Sequence, residues 1–277
     1  MATMTLQEKI KEHLADYARH NQELNGRMGG TWRNGNKRYP YILDNRDKTL
    51  LNFLPGFREA LRNHIVSSKI KLHTDAHHLN SSQIMCMNFF FPLMQEKKLS
   101  YVLNLLDEHG DWLEPTGQFE KISEIDGGQR GATNFDFYIE SSNREKAYFE
   151  IKYTEGDFGT AKDDKSHNDK WEHIYKALIE NSPILKKEKV DKDTFFKNYQ
   201  LLRNMVHIKD AKTDYVVFLV PMETLYERAE KFINEVVKSE ALNHVRVISW
   251  KQAFDAVKND PQLADHYAEF EKKYLNF

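Results

Sequence analysis

Apolar and polar residues alternate twice between Asn134 and Glu155, and the two runs read as the strands of a β-hairpin. Phe135, Phe137 and Ile139 share one face of the first strand, and Phe149, Ile151 and Tyr153 share one face of the second. Ser142-Asn143-Arg144 supplies the turn between them. A three-residue turn sets a register in which Phe137 opposes Phe149, Phe135 opposes Ile151, Glu140 opposes Lys146 and Asp136 opposes Glu150. A slip of one residue would mix the two faces, whereas a slip of two, with Asp136 facing Lys152, keeps them apart.

Elsewhere the spacing of apolar residues changes to that of helices. Thr5 is placed to cap a helix from Leu6 to His20, with Leu6, Ile10, Leu14 and Tyr17 on one side. Residues 56–66 and 99–106 also read as helices, and residues 82–94 are apolar nearly all round, which marks a buried helix. Residues 119–125 alternate as a strand, residues 155–170 form a polar loop, and residues 168–181 follow as a helix. Thr194 is a cap for a helix through His207. Asp214–Val220 is an apolar run of the kind buried within a sheet, and Val245–Ser249 is a second short strand. Helices over 223–238, 251–257 and 262–275 complete the chain, which contains no internal repeat or low-complexity tract.

The hairpin carries the candidate chemistry. In either register Asp136, Glu150 and Lys152 lie on one face of two adjacent strands. Carboxylates roughly 5 Å apart repel, and a divalent cation removes that conflict. Mg²⁺ takes one or two carboxylates together with phosphate oxygens and water. A lysine beside them can hold or help deprotonate an attacking water, which makes a site for phosphodiester hydrolysis. The same three residues also suit the polar outer face of an ordinary hairpin.

Asp136 followed by Glu150-Ile151-Lys152 resembles the PD-(D/E)xK signature of the restriction-endonuclease-like nucleases. The wider text is similar to a sparsely described bacterial branch of restriction endonucleases, from His78-Leu79-Asn80-Ser81-Ser82-Gln83 to Tyr199-Gln200-Leu201-Leu202-Arg203-Asn204. The likeness covers residues 72–221, and one departure is visible: Phe135, not proline, precedes Asp136. The resemblance implies an α/β fold with a mixed central β-sheet flanked by helices in the order αβββαβ, which matches the element order read from periodicity. It implies Asp136, Glu150 and Ile151 as metal ligands for Mg²⁺, with Mn²⁺ able to substitute, and Lys152 as the catalytic lysine. Gln83, on the helix before the sheet, and Gln200, on the helix after it, are the supporting residues it implies. Gln200 and Arg203 lie three apart with Asn204 one place further round, so this helix either faces the hairpin or faces solvent.

Candidate nucleic-acid contacts are more diffuse. Residues 25–38 form a glycine-rich loop with Trp32 and four cations, Arg27, Arg33, Lys37 and Arg38, the kind of segment that tracks a strand or is simply solvated. Arg130, in the turn before the first hairpin strand, has the same two readings. His73, Asp75, His77 and His78 crowd together, but their spacing matches no structural zinc site. Asp163-Asp164 reads as a solvated acid pair.

Composition narrows the setting. A chain of 277 residues fits a single elaborated nuclease domain, with 1–71 as a helical and loop extension, 72–221 as the core and 222–277 as a further α/β extension. No apolar run approaches the ~20 residues of a membrane span, the N-terminal helix is interrupted by charges, and the lone Cys86 excludes an internal disulfide; these point to the cytoplasm. The net charge of −2 argues against indiscriminate attraction to DNA by the whole molecule. The leading reading is a Mg²⁺-dependent DNA endonuclease of restriction or defence, with DNA as partner, a homodimer for cutting two strands, and a methyltransferase or other defence component encoded elsewhere. A repair or RNA-processing nuclease, or a non-catalytic nucleic-acid-binding module retaining the fold, are the alternatives; intact Asp136, Glu150 and Lys152 argue against the last.

Overall fold

A computed structural model describes residues 4–33, 35–107, 110, 112–126, 128 and 131–277. They sort into two compact units, one made of residues 1–101, 151–154 and 250–277, the other of residues 102–150 and 155–249. Among the described residues no helix is long and apolar enough to cross a membrane.

In the first unit, Leu6–His20 is helical as its pattern predicts, with Thr5 and Glu8 closing a reciprocal cap and Ile10, Leu14 and Tyr17 buried. The glycine-rich segment is a loop only in part, at residues 25–27 and over the described residues of 32–37. Its residues 28–31 form β1 (Met28–Thr31), which pairs antiparallel with β2 (Arg38–Leu43), Met28 with Leu43 and Thr31 with Arg38. Gly30 is required there, because a Cβ would sit 2.0 Å from the Leu43 carbonyl oxygen. The Ser82–Gln95 helix is buried nearly all round, and its Phe89 packs against Trp250, Tyr267 and Phe270 at ring-centroid separations of 5.5, 5.6 and 5.4 Å.

A polar seam crosses this apolar core. Asn52 Nδ2 donates to the carbonyls of Ala76 and His78, and Asn88 Nδ2 donates to the Asn52 carbonyl and to the Tyr274 hydroxyl. Lys273, 1% exposed, donates to both oxygens of Asn52. Burial, and then the Arg58 charge, hold its ammonium far below the usual lysine range. The unfolded chain therefore binds this proton more readily, and stability should rise as pH climbs towards the ordinary lysine pKa of about 10.4. We expect urea unfolding at pH 7, 8 and 9 to show a steeper rise in the wild type than in Lys273→Met; equal slopes would mean that Lys273 is charged in the fold.

The second unit is built on a five-stranded mixed sheet in the order β3-β4-β5-β6-β7: β3 (Thr116–Ile122), β4 (Asn134–Glu140), β5 (Lys146–Ile151), β6 (Asp214–Val220) and β7 (Val245–Ser249). β3, β4 and β5 form an antiparallel meander, and β6 pairs β7 in parallel. Every residue of β6 is buried, as its continuous apolar run requires. With the Ser82–Gln95 helix before β3 and the Tyr199–Met205 helix between β5 and β6, the chain has the αβββαβ order and the α/β fold of the restriction-endonuclease-like proteins. Phe158, Tyr175, Phe195, Leu202, Phe218 and Ile233 are among the residues of this unit's core.

Several boundaries differ from the pattern. The strand expected over 119–125 is β3, three residues earlier, since Ser123 and Asp126 leave the ladder for side-chain bonds to His207 and Thr133. The helix expected from residue 168 starts at Lys165, capped by Asp164, and continues through a π-helical turn, Trp171–Tyr175, to Glu180. Asp191, not Thr194, caps the next helix, Lys192–Lys197, and a break at Asn198 separates it from Tyr199–Met205.

Candidate active site

The β4–β5 hairpin positions the two carboxylates. The turn closes as read: Ser141 N–H donates to Glu145 and Arg144 N–H to Ser141, with Arg144 at φ 72°. Phe137 pairs with Phe149 and Glu140 with Lys146, so the next position along the same register sets Asp136 opposite Glu150. One detail departs from the alternation. The ring of Phe135 meets Tyr148 at 4.8 Å and His207 at 4.7 Å, whereas Phe137 meets Phe119 at 4.9 Å and Phe149 at 5.9 Å. Phe135 has left the face of Phe137. Glu120, at φ 54°, drops out of the β3–β4 ladder opposite Asp136, so the irregularity spans both strands at the candidate ligand.

Glu150 is 4% exposed. A carboxylate can be buried only if its lone pairs are met. Here Gln200 Nε2 donates to one oxygen and Asn204 Nδ2 to the other, the latter at 2.9 Å. Gln200 and Asn204 are four apart on the Tyr199–Met205 helix and so project on one side, which resolves the sequence ambiguity: this side of the helix faces the hairpin. Asn204 is as direct a partner of Glu150 as Gln200. Arg203 turns away to stack over Tyr199 at 5.1 Å.

Beside this helix lies a buried cluster that no sequence signal marked. Asp126 accepts from the Thr133 N–H at 2.9 Å, the Thr133 hydroxyl at 3.0 Å and the Tyr175 hydroxyl at 2.7 Å. Burial pushes its carboxyl up, but these bonds and the Arg203 charge outweigh it and leave the pKa lowered. Lys170, 6% exposed, donates to the Gly131 carbonyl at 2.7 Å, tying the same approach to β4.

The remaining candidates group with the first unit. Lys152 is 8% exposed, and its carbonyl accepts from Trp250 Nε1 at 2.7 Å. Gln83 spends its amide on the chain just before it, accepting from His73 N–H at 2.8 Å and donating to the Lys71 carbonyl at 3.2 Å. Arg27, Arg33, Lys37 and Arg38 are all exposed, Arg27 at the open end of the β1–β2 hairpin and the other three at its tip, with Arg33 over Trp32 at 4.8 Å and Lys37 over Tyr39 at 5.2 Å. Arg130 lies outside the described residues.

Among the described residues no three His, Cys, Asp or Glu side chains group as a metal site, and His77 and His78 are buried with burial lowering the pKa of both, that of His78 to about 4. That leaves an all-oxygen donor set of two carboxylates. It suits a hard ion such as Mg²⁺, which keeps several waters and completes its octahedron with substrate phosphate. Asn204 Oδ1, buried and without a hydrogen-bond partner among the described residues, adds an unsatisfied oxygen beside Glu150.

A family model described as restriction endonuclease associating with ARP matches residues 11–275 of the chain. No curated protein and no solved structure matches it.

Proposed function

The chain belongs to the family of restriction endonucleases associating with ARP, and from that membership we propose that it is a Mg²⁺-dependent nuclease that hydrolyses phosphodiester bonds of DNA in restriction or defence. The observation that carries the reading is Glu150, a buried carboxylate held on both oxygens by Gln200 and Asn204 on the strand beside Asp136. Two side-chain amides fix the orientation of that carboxylate without neutralising it, so it stays available to a cation.

Asp136, Glu150 and the backbone carbonyl of Ile151 would hold Mg²⁺ or Mn²⁺. The ion supplies charge neutralisation at the scissile phosphate and a more acidic water. Lys152 follows Glu150 by two residues, and its role in the proposal is to hold and help deprotonate the attacking water. Gln200 and Asn204 act through Glu150 and are positioning residues. A homodimer would bring two such sites to the two strands of a duplex, and the family's description as associating with ARP supports ARP as a candidate partner in this reading.

Plasmid, single-stranded DNA and RNA incubated with the protein in Mg²⁺, Mn²⁺ and EDTA test the reading. We expect DNA to be cut in either metal and not in EDTA. Cleavage of RNA alone would transfer the site to RNA processing. A folded protein that cuts none of them and shows no heat of Mg²⁺ binding would be the non-catalytic module.

A further inference from the structure

A second feature of the sheet unit has no role in the hydrolysis described above. A cavity of about 280 Å³ opens beside the hairpin, walled by Phe135, Tyr138, Tyr148 and His207, with Glu140 and Asp214 among its polar lining. It is continuous with the candidate site along two elements. On β5, Tyr148 precedes Glu150 by two residues on the same face, about 6.6 Å away. On the helical side, Asn204 binds Glu150, and His207, three residues on, packs on Tyr148 at 5.9 Å.

The walls are fixed. His207 Nδ1 lies 2.9 Å from the Arg203 carbonyl, which can only accept, so Nδ1 carries the proton and Nε2 accepts from the Ser123 hydroxyl at 2.6 Å. Tyr138 and Tyr148 lie 5.0 Å apart, and Lys121 Nζ stands over the Tyr138 ring at 5.3 Å. Charges of both signs line the two phenols, Glu140 and Asp214 on one hand and Lys121, Arg144, Lys146 and Lys209 on the other, and Asp214 Oδ2 already accepts from the N–H groups of Lys209 and Asp210.

Aromatic faces with the Glu140 carboxylate as acceptor, and with lysines and an arginine beside it for the strand's phosphates, suit a flat ring bearing an amino group. The cavity is roomy enough for one flat heterocycle. The span from Glu150 to Tyr148 is about two stacked nucleotide steps of 3.4 Å. We infer that this cavity receives one unstacked nucleobase of the bound strand, close to the cleaved phosphate, and favours the amino-bearing bases adenine, cytosine and guanine over thymine. The inference rests on the nuclease reading. Its recognition logic is that of proteins that read an extruded base by stacking and by hydrogen bonds to its edge.

The test pairs substrate with protein. A fluorescein-labelled strand spanning a mapped cut position is bound in EDTA, with the base removed at one position at a time, and dissociation constants are read by anisotropy. We expect base removal at a single position near the cut to weaken wild-type binding about tenfold, the order expected for one base on an aromatic ring. Tyr148→Ala should cause the same loss on the intact strand and none beyond it on the stripped one, while Tyr148→Phe stays within about twofold of wild type. Glu140→Gln, on the half-exposed rim, should erase the preference for adenine, cytosine or guanine over thymine at that position without lowering thymine binding. Losses that simply add in Tyr148→Ala, or a base preference untouched in Glu140→Gln, overturn the assignment while leaving metal-dependent cleavage standing. Absence of any cleavage by the wild type removes the premise, and the pocket assignment with it.

Discussion

Replacing Asp136 by asparagine should lower the rate of DNA cleavage in Mg²⁺ by at least about a thousandfold, the scale lost when a group that stabilises transition-state charge is removed. The side chain is half-exposed on β4, and asparagine keeps its volume, so the fold should be spared. The carboxylate charge is what disappears, and with it the electrostatic reason for a divalent ion to sit between β4 and β5. Calorimetry with Mg²⁺ should lose its binding signal together with the activity. Glu150→Gln should behave differently. It removes the same charge but also sets a new amide against the Gln200 and Asn204 donors, in a position only 4% exposed. We expect loss of cleavage together with a stability cost of about 1–3 kcal/mol, the range for a buried polar group left badly paired. If Asp136→Asn cuts within tenfold of wild type, the carboxylate is not a ligand and the hairpin face is ordinary polar surface.

The largest effect on stability is expected at Asp126→Ala, about 3 kcal/mol or more. Its carboxylate satisfies the Thr133 N–H, the Thr133 hydroxyl and the Tyr175 hydroxyl, and both Thr133 and Tyr175 are fully buried. Alanine would leave three donors without acceptors, each worth about 1 kcal/mol or more. Asp126→Asn keeps one acceptor oxygen and should cost less. Because the folded pKa is lowered, the contribution is complete above the unfolded carboxylate value of about 3.9 and fades as pH falls through the lower folded value. Urea midpoints at pH 7, 5 and 3 should therefore separate wild type from Asp126→Ala by the same amount at the first two and by less at the last. A constant separation would place the effect in packing and not in the charge.

What the sequence made legible follows local physics. β4, β6 and β7 are found at the residues their patterns mark, and the hairpin register comes out correctly because turn length fixes strand parity. The Leu6–His20 helix announces itself through its capping box. The misreadings are non-local. Phe135 changes face together with an irregularity at Glu120, on a different strand. Residues 25–38 carry every loop signal, yet the close approach of Gly30 to Leu43 makes a strand of residues 28–31 within them. Of the candidate site, Asp136 and Glu150 were visible as spacing, while the helix that carries Gln200 and Asn204 was visible but its facing was not. The Asp126 cluster was not, because residues 126, 133 and 175 meet only in space. Gln83 had the right residue type on the right helix, but its amide is committed to the backbone of residues 71 and 73.

The backbone of Lys152 is gripped by the indole of Trp250, ninety-eight residues later in the chain. Synthesis runs from the N-terminus at about 5–20 residues per second. A ribosome that has just delivered Asp136, Glu150 and Lys152 has therefore delivered the whole motif but not the residue that anchors its lysine, and the helical segments around Tyr267 and Tyr274 that complete the same unit are still to come. Assembly of the motif thus waits for Trp250 to be made, and a product that ends before Trp250 carries the signature without the support.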